Sequence, residues 1–139
     1  MSGYLFDTKI AVLLHEELAP WQRVNATAFL VSGVAHAYPQ LMGAPYEDAD
    51  GTGYLPMLGQ PVFVFEADSA ALGEVRSRAV ARGVSTSVFT GELFRTGNDD
   101  DNRAAVAAVA GADLDVVGLA LHAPKNVVDR LVKGTRRHP

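Results

Sequence analysis

The stretch KIAVLLHE, residues 9–16, restricts the fold more than any other part of the chain. Its apolar residues run without a polar break from Ile10 to Leu14. A strand with one solvated face alternates, so an unbroken run belongs to a strand covered on both faces. That cover must come from helices, and the following segments read as helices and further strands in alternation. Pro20 suits a first helical turn, and Val24, Ala28, Val31 and Ala35, joined by Phe29 and Leu30, recur at helical spacing to about Ala37. PVFVFEAD (61–68) reads as a second strand with Pro at its start. Asp68 and Ser69 can cap a helix that ends at Gly83.

VSTSVFT (84–90) is a third strand, and the run NDDD places negative charge at the start of the helix DNRAAVAAVAG. DLDVVGLAL (113–121) is a fourth strand, and PKNVVDRLVKG (124–134) a closing helix. The alternation predicts one α/β domain over residues 1–139. Its expected form is a three-layer α/β/α sandwich around a four-stranded, mostly parallel or mixed sheet. Residues 38–60 lack periodicity and are rich in Pro and Gly, so they read as a long loop insertion. Loops of that length are often functional, and the plainer alternative is a surface excursion.

Composition removes several function classes. The chain has no Cys, which excludes disulfides, thiolate metal ligands and a Cys nucleophile. No basic region precedes the first apolar run, and no run approaches the roughly 18 residues of a membrane span. A cytoplasmic protein with no membrane contact is the expectation. The net charge of -4 leaves KGTRRH as the compact basic cluster, which weighs against nucleic acid without excluding tRNA. G-x-G-x-x-G, Walker A and G-x-S-x-G patterns are absent, and no two of the four His form an H-x-x-x-H pair. No metal site and no cofactor is expected.

In open α/β sheets, ligands bind beyond the carboxyl ends of the strands. That rule selects His15, Glu16 and Glu17 after the first strand, and Thr90, Gly91 and Glu92 after the third. His122 joins them if the fourth strand runs the same way. The helix entrance adds Trp21, Gln22 and Asn25. His15 with a neighbouring Glu can form an acid/base couple. The plainer alternative has His15 capping the strand while both Glu face water. Trp21 also reads as a packed anchor, and Glu74 with Arg78 as a surface pair.

The segments KIAVLLHEELAPWQRVNATAFLVSGVAHA, GQPVFVFEADSAAL, ARGVSTSVFTGELFRTGND and DVVGLALHAPKNVVDRLVKG, in this order, resemble the archaeal/eukaryotic-type peptidyl-tRNA hydrolases. They resemble more closely a bacterial family catalogued only as a domain of unknown function that shares that fold. The resemblance implies a peptidyl-tRNA hydrolase II-like sandwich. Glu17-Leu18 match the acidic-Leu pair of those hydrolases. Trp21-Gln22-Arg23 replace their Gly-Lys segment, so Arg23 stands where the resemblance places a catalytic Lys. A guanidinium stays protonated and cannot take up a proton as a neutral Lys can. Thr90-Gly91-Glu92-Leu93-Phe94-Arg95-Thr96 replace an Asp-Ala-Gly-x-Thr type motif, with the Asp gone and the Thr displaced.

Three readings follow. In the first, the cleft binds a small-molecule ligand or carries out a divergent hydrolytic reaction. His15, Glu17 and Arg23 then act catalytically, and Trp21, Gln22, Asn25, Thr90, Glu92 and Thr96 bind. The second is a peptidyl-tRNA hydrolase with altered catalytic residues. The third is a non-enzymatic homodimeric binding module, which exposed apolar area in GYLPML would support.

Overall fold

The unbroken apolar strand is the centre of the sheet. A computed structural model describes residues 6–139. β1 (Thr8–His15) lies between β4 (Val62–Ala67) and β6 (Val116–Pro124) in a five-stranded mixed sheet. β5 (Thr86–Thr90) and β7 (Arg136–Arg137) form the two sides, giving the order β5-β6-β1-β4-β7. β1 and β4 are parallel, with Ile10 opposite Val62, while β6 runs antiparallel to both β1 and β5. Four helices complete the mixed α/β chain: α1 (Pro20–Ala37), α2 (Ser69–Ala81), α3 (Asp99–Ala107) and α4 (Lys125–Leu131).

Both sheet faces are covered. Ala11, Leu13, Leu119 and Leu121 pack against Leu72, Val75 and Ala79 of α2 and Val128 and Leu131 of α4. Ile10, Val12, Leu14 and Ala120 pack against Ala26, Leu30 and Val34 of α1. Alternate residues of β1 thus serve opposite layers, which is why the strand tolerates no polar residue between its ends. Arg78 of α2 ties that layer together by donating to the Leu131 and Lys133 carbonyls at the end of α4, besides pairing with Glu74 at 3.1 Å.

One sequence expectation needs correction. The sheet has five strands rather than four, because β7 adds to β4 with Arg136 opposite Glu66. β6 runs against β1, so His122 lies opposite Ile10, at the far edge from His15. The reason is the short return after α3: Gly91 N–H donates to the Asp115 carbonyl at 3.1 Å, so β6 starts where β5 ends. His122 therefore belongs to no strand-end rim. It packs against Tyr38 with ring centroids 4.5 Å apart and the rings tilted by 54°, and both its nitrogens are buried without a hydrogen-bond partner. Burial pushes its pKa below the ordinary imidazole value.

Residues 38–60 form a largely exposed arm. A 3-10 turn (Pro39–Leu41) leads into a two-stranded antiparallel ribbon of β2 (Tyr46–Glu47) and β3 (Gly53–Tyr54). Asp48 builds the ribbon turn, accepting from Asp50 N–H at 2.9 Å, Thr52 N–H at 3.0 Å and the Tyr54 hydroxyl at 2.7 Å. Gly51, with φ 85°, supplies the left-handed residue such a turn needs.

Candidate functional site

The entrance of α1 turns some polar side chains inward and others outward. Gln22 is spent on the helix itself: its Oε1 accepts the Ala19 N–H at 2.9 Å, the reach-back half of a capping box. Arg23 points to the sheet. Its Nε donates to the Leu18 carbonyl at 3.0 Å, Nη1 to Glu66 Oε2 at 2.8 Å, and Nη2 to the Glu16 carbonyl. Arg136 of β7 approaches the same carboxylate, its Nε donating to Glu66 Oε1 at 3.0 Å while Nη2 reaches Glu16 at 2.6 Å. The Arg23 guanidinium, with help from Arg136, holds the Glu66 carboxyl below the usual range. Arg23 also donates to His138 Nε2 at 2.6 Å, which leaves His138 Nδ1 to donate to the Pro139 carbonyl at 2.9 Å. All three guanidinium nitrogens are engaged, so Arg23 braces α1 onto β4 and β7.

His15 closes β1 beside the start of α2. Its Nε2 lies 3.0 Å from Ser69 Oγ, a separation that resembles a nucleophile–base pair. Its other nitrogen settles the proton. Glu17 N–H reaches Nδ1 at 3.1 Å, and an amide can only donate, so Nδ1 accepts. The ring proton then sits on Nε2 and is donated to Ser69, the opposite of what a general base requires. The Glu17 side chain is exposed beside it. Thr90 is 1% exposed, and its hydroxyl makes no well-formed hydrogen bond. On the following 3-10 turn (Gly91–Phe94), Glu92's own backbone amide holds its carboxyl below the usual range.

Three of the candidates converge. Trp21, Asn25 and Thr96 line one pocket of about 280 Å³, together with Phe29, Phe94 and Asn102. α1 supplies the first wall, the link after β5 the second, and α3 the third. Thr96 is oriented by donating to the Leu93 carbonyl at 3.1 Å and by contact with Asn102 Oδ1. Trp21 meets Phe94 edge to face at 5.6 Å, Phe94 lies 4.7 Å from Phe89, and Phe89 lies 6.2 Å from Phe29. Trp21 is nonetheless 59% exposed and Phe29 58% exposed. Trp21 is thus only half the packed anchor its sequence context implies. His15, Glu17, Gln22, Arg23, Thr90 and Glu92 do not line this pocket.

Phe89, Phe94 and Asn102 were not among the candidate site residues. The signal for them was present: one Phe at the end of a strand of Thr and Ser and one just after it, then an Asn-capped helix, whose Asn98 side chain accepts from Asp101 N–H at 2.8 Å. α3 buries no residue completely, so it stands off the sheet as a wall. Behind it a groove of about 590 Å³ runs on between α1 and β5, floored by Ser87 and Phe89 and flanked by Val106. Among the described residues, no group of three or more His, Asp or Glu is placed to hold a metal ion. No helix of the described residues is long and apolar enough to cross a membrane.

Comparison with known proteins matches this architecture without naming a ligand. No curated protein matches the chain. The solved structure of a protein of unknown function from Agrobacterium tumefaciens is similar at a TM-score of 0.95 and 40% sequence identity, over 97% of this chain and 100% of that one. The model for the family described as "Protein of unknown function (DUF2000)" matches residues 8–139. With nearly the whole fold inside that match, the chain belongs to the DUF2000 family.

Proposed function

We propose that this protein binds a small organic ligand in the pocket at the entrance of α1. The observation that carries the reading is the convergence of Trp21, Asn25 and Thr96, from two separate segments, on one concavity with Phe94 and Asn102. Folding does not account for leaving Trp21 and Phe29 more than half exposed around it, whereas an apolar surface beside a few convergent polar groups is what ligand sites present. The polar groups at this wall are amides, a hydroxyl and the Asp99 carboxylate, which is held in an ion pair by Arg103. That supports binding over hydrolysis.

The resemblance to peptidyl-tRNA hydrolases supports a related fold, in which this pocket sits by the edge where β1, β4 and β5 end. It offers less support for their reaction, since Arg23 is committed to Glu66 and the His15 proton faces Ser69. The test is a thermal-shift screen of small neutral and charged metabolites, followed by the sole tryptophan's fluorescence. A stabilising compound should lose its effect in both Asn25→Ala and Asn102→Ala. Stabilisation that survives both substitutions would move the site elsewhere. Incubation with a model peptidyl-tRNA at protein excess should release nothing above buffer; release would overturn the binding reading.

A further inference from the structure

We propose that the ligand is a single-chain amphiphile with an uncharged, hydrogen-bonding head, its chain lying along the groove between α1, β5 and α3. This rests on the pocket reading above and specifies its chemistry. The pocket and the groove behind it are one trough, for they share Phe29, Phe89, Leu93, Asp99 and Asn102. Their volumes of about 280 and 590 Å³ together lie within the range of small-molecule sites. The inner stretch is mainly apolar, adding Leu30, Val106 and Ala107 with Ser32 and Ser87 at its sides and Arg103 at its rim, whereas Asn25 and Thr96 occur only at the outer end.

The charge at the outer end selects the head. Asp99, Asp100 and Asp101 open α3, and Arg103 is held by Asp99 and Asp100. Three carboxylates against one guanidinium repel an anionic head, so a fatty acid anion fits poorly. Each carboxylate also has a partner already, Asp99 and Asp100 in Arg103 and Asp101 in the Asn98 amide, so none is left to hold a cationic head. Arg103 is already engaged and offers no free cation. The side-chain amides of Asn25 and Asn102 each supply a donor and an acceptor to the pocket. An amide or hydroxyl head matches that set. α3 buries no residue completely, so the wall can adjust to chain thickness.

The test uses the full chain and Trp21 emission, with N-(2-hydroxyethyl)decanamide as probe, N-(2-hydroxyethyl)acetamide as its chainless analogue and decanoate as the anion of equal chain length. The decanamide should give a saturable change, at least roughly tenfold tighter than either comparison compound. Val106→Asp should weaken it by a similar factor while circular dichroism and the melting temperature stay near those of the parent. Val106→Ser provides a second, milder variant should Val106→Asp fail to fold. Decanoate binding as tightly as the amide would overturn the uncharged head. An acetamide analogue that binds as tightly, sensitive to Asn25→Ala, would overturn the chain while leaving the pocket reading in place. Decanamide binding that ignores Asn25→Ala and Asn102→Ala would overturn the pocket reading itself. No saturable change with the decanamide overturns the amphiphile.

Discussion

Gly118→Ala tests how closely α1 is held to the sheet, and so how firmly Trp21 and Asn25 are placed. Gly118 sits on β6, opposite Leu14 of β1 and Phe89 of β5. A Cβ added there would lie 2.8 Å from Leu30 Cδ1, 3.5 Å from Phe89 Cβ and 3.6 Å from the Leu13 carbonyl oxygen. Carbon atoms in favourable contact stand about 3.5–4.0 Å apart, so Leu30 or the helix must retreat by roughly 0.7 Å or more. Leu30 is 1% exposed and cannot swing into solvent. Overpacking of this kind costs about 1–3 kcal/mol. Gly118 has no positive φ, so the lost freedom of the unfolded chain returns about 0.4–1 kcal/mol. The net expectation is a destabilisation of about 0.5–2 kcal/mol.

Leu30→Ala alone should cost about 2–5 kcal/mol through the cavity it leaves. The added methyl of Gly118→Ala points into that cavity. The double variant should therefore be more stable than the sum of the singles predicts, by about 0.5 kcal/mol or more. Urea unfolding followed by far-UV circular dichroism measures all four corners of the cycle. A neutral Gly118→Ala, or additivity within about 0.3 kcal/mol, would refute the close-approach argument.

Further expectations concern acid, caps and the ion pair. His122, its pKa lowered by burial, gives a stability that is full above about pH 6.5 and falls as the unfolded chain takes up a proton below it. His122→Phe should flatten that part of a melting-temperature profile, and an unchanged slope would place the titration elsewhere. Glu66, held low first by Arg23, contributes stability present above its ordinary value of 4.5 and lost on further acidification. Glu66→Gln should remove that lower limb and leave the His122 limb intact. Asn98→Ala removes the α3 cap and should cost about 1 kcal/mol, with faster amide exchange confined to α3. Asp68→Ala should cost about as much in α2, where the carboxylate accepts from Ala71 N–H at 2.9 Å, without altering exchange in α3.

The layers were legible because periodicity is local. The apolar run of β1 and the helical spacing of α1 both depend only on neighbours in the chain, and both elements fall within a residue or so of their expected bounds. Strand direction is not local. VVGLAL reads the same to a hydrophobic count whichever way it runs, so the sequence leaves the place of His122 open, and the antiparallel β6 takes it away from the rim. β7 is two arginines that resemble any solvated tail, yet Glu66 gave notice of it: a carboxylate within the apolar strand VFVFEA requires cations that local pattern cannot supply. At the α1 entrance, Gln22 three residues after the cap position carried its own explanation. Trp21, Asn25 and Thr96 are close only because α3 and the link after β5 fold back over α1.

The central position of β1 also governs how the chain reaches this state. Both edges of the strand await partners far along the chain, Val62 on one side and His122 on the other for Ile10 alone. Until β4 and β6 arrive, Ile10 to Leu14 offers unpaired backbone beside five apolar side chains, a template for self-association. Loop closure over such separations is slow compared with forming α1, which needs only its own residues. Helix formation before sheet closure would lay α1 over one face of that segment while its hydrogen-bonding edges remain open. The strand that gives the finished sheet its order is thus the segment most exposed to error while the protein folds.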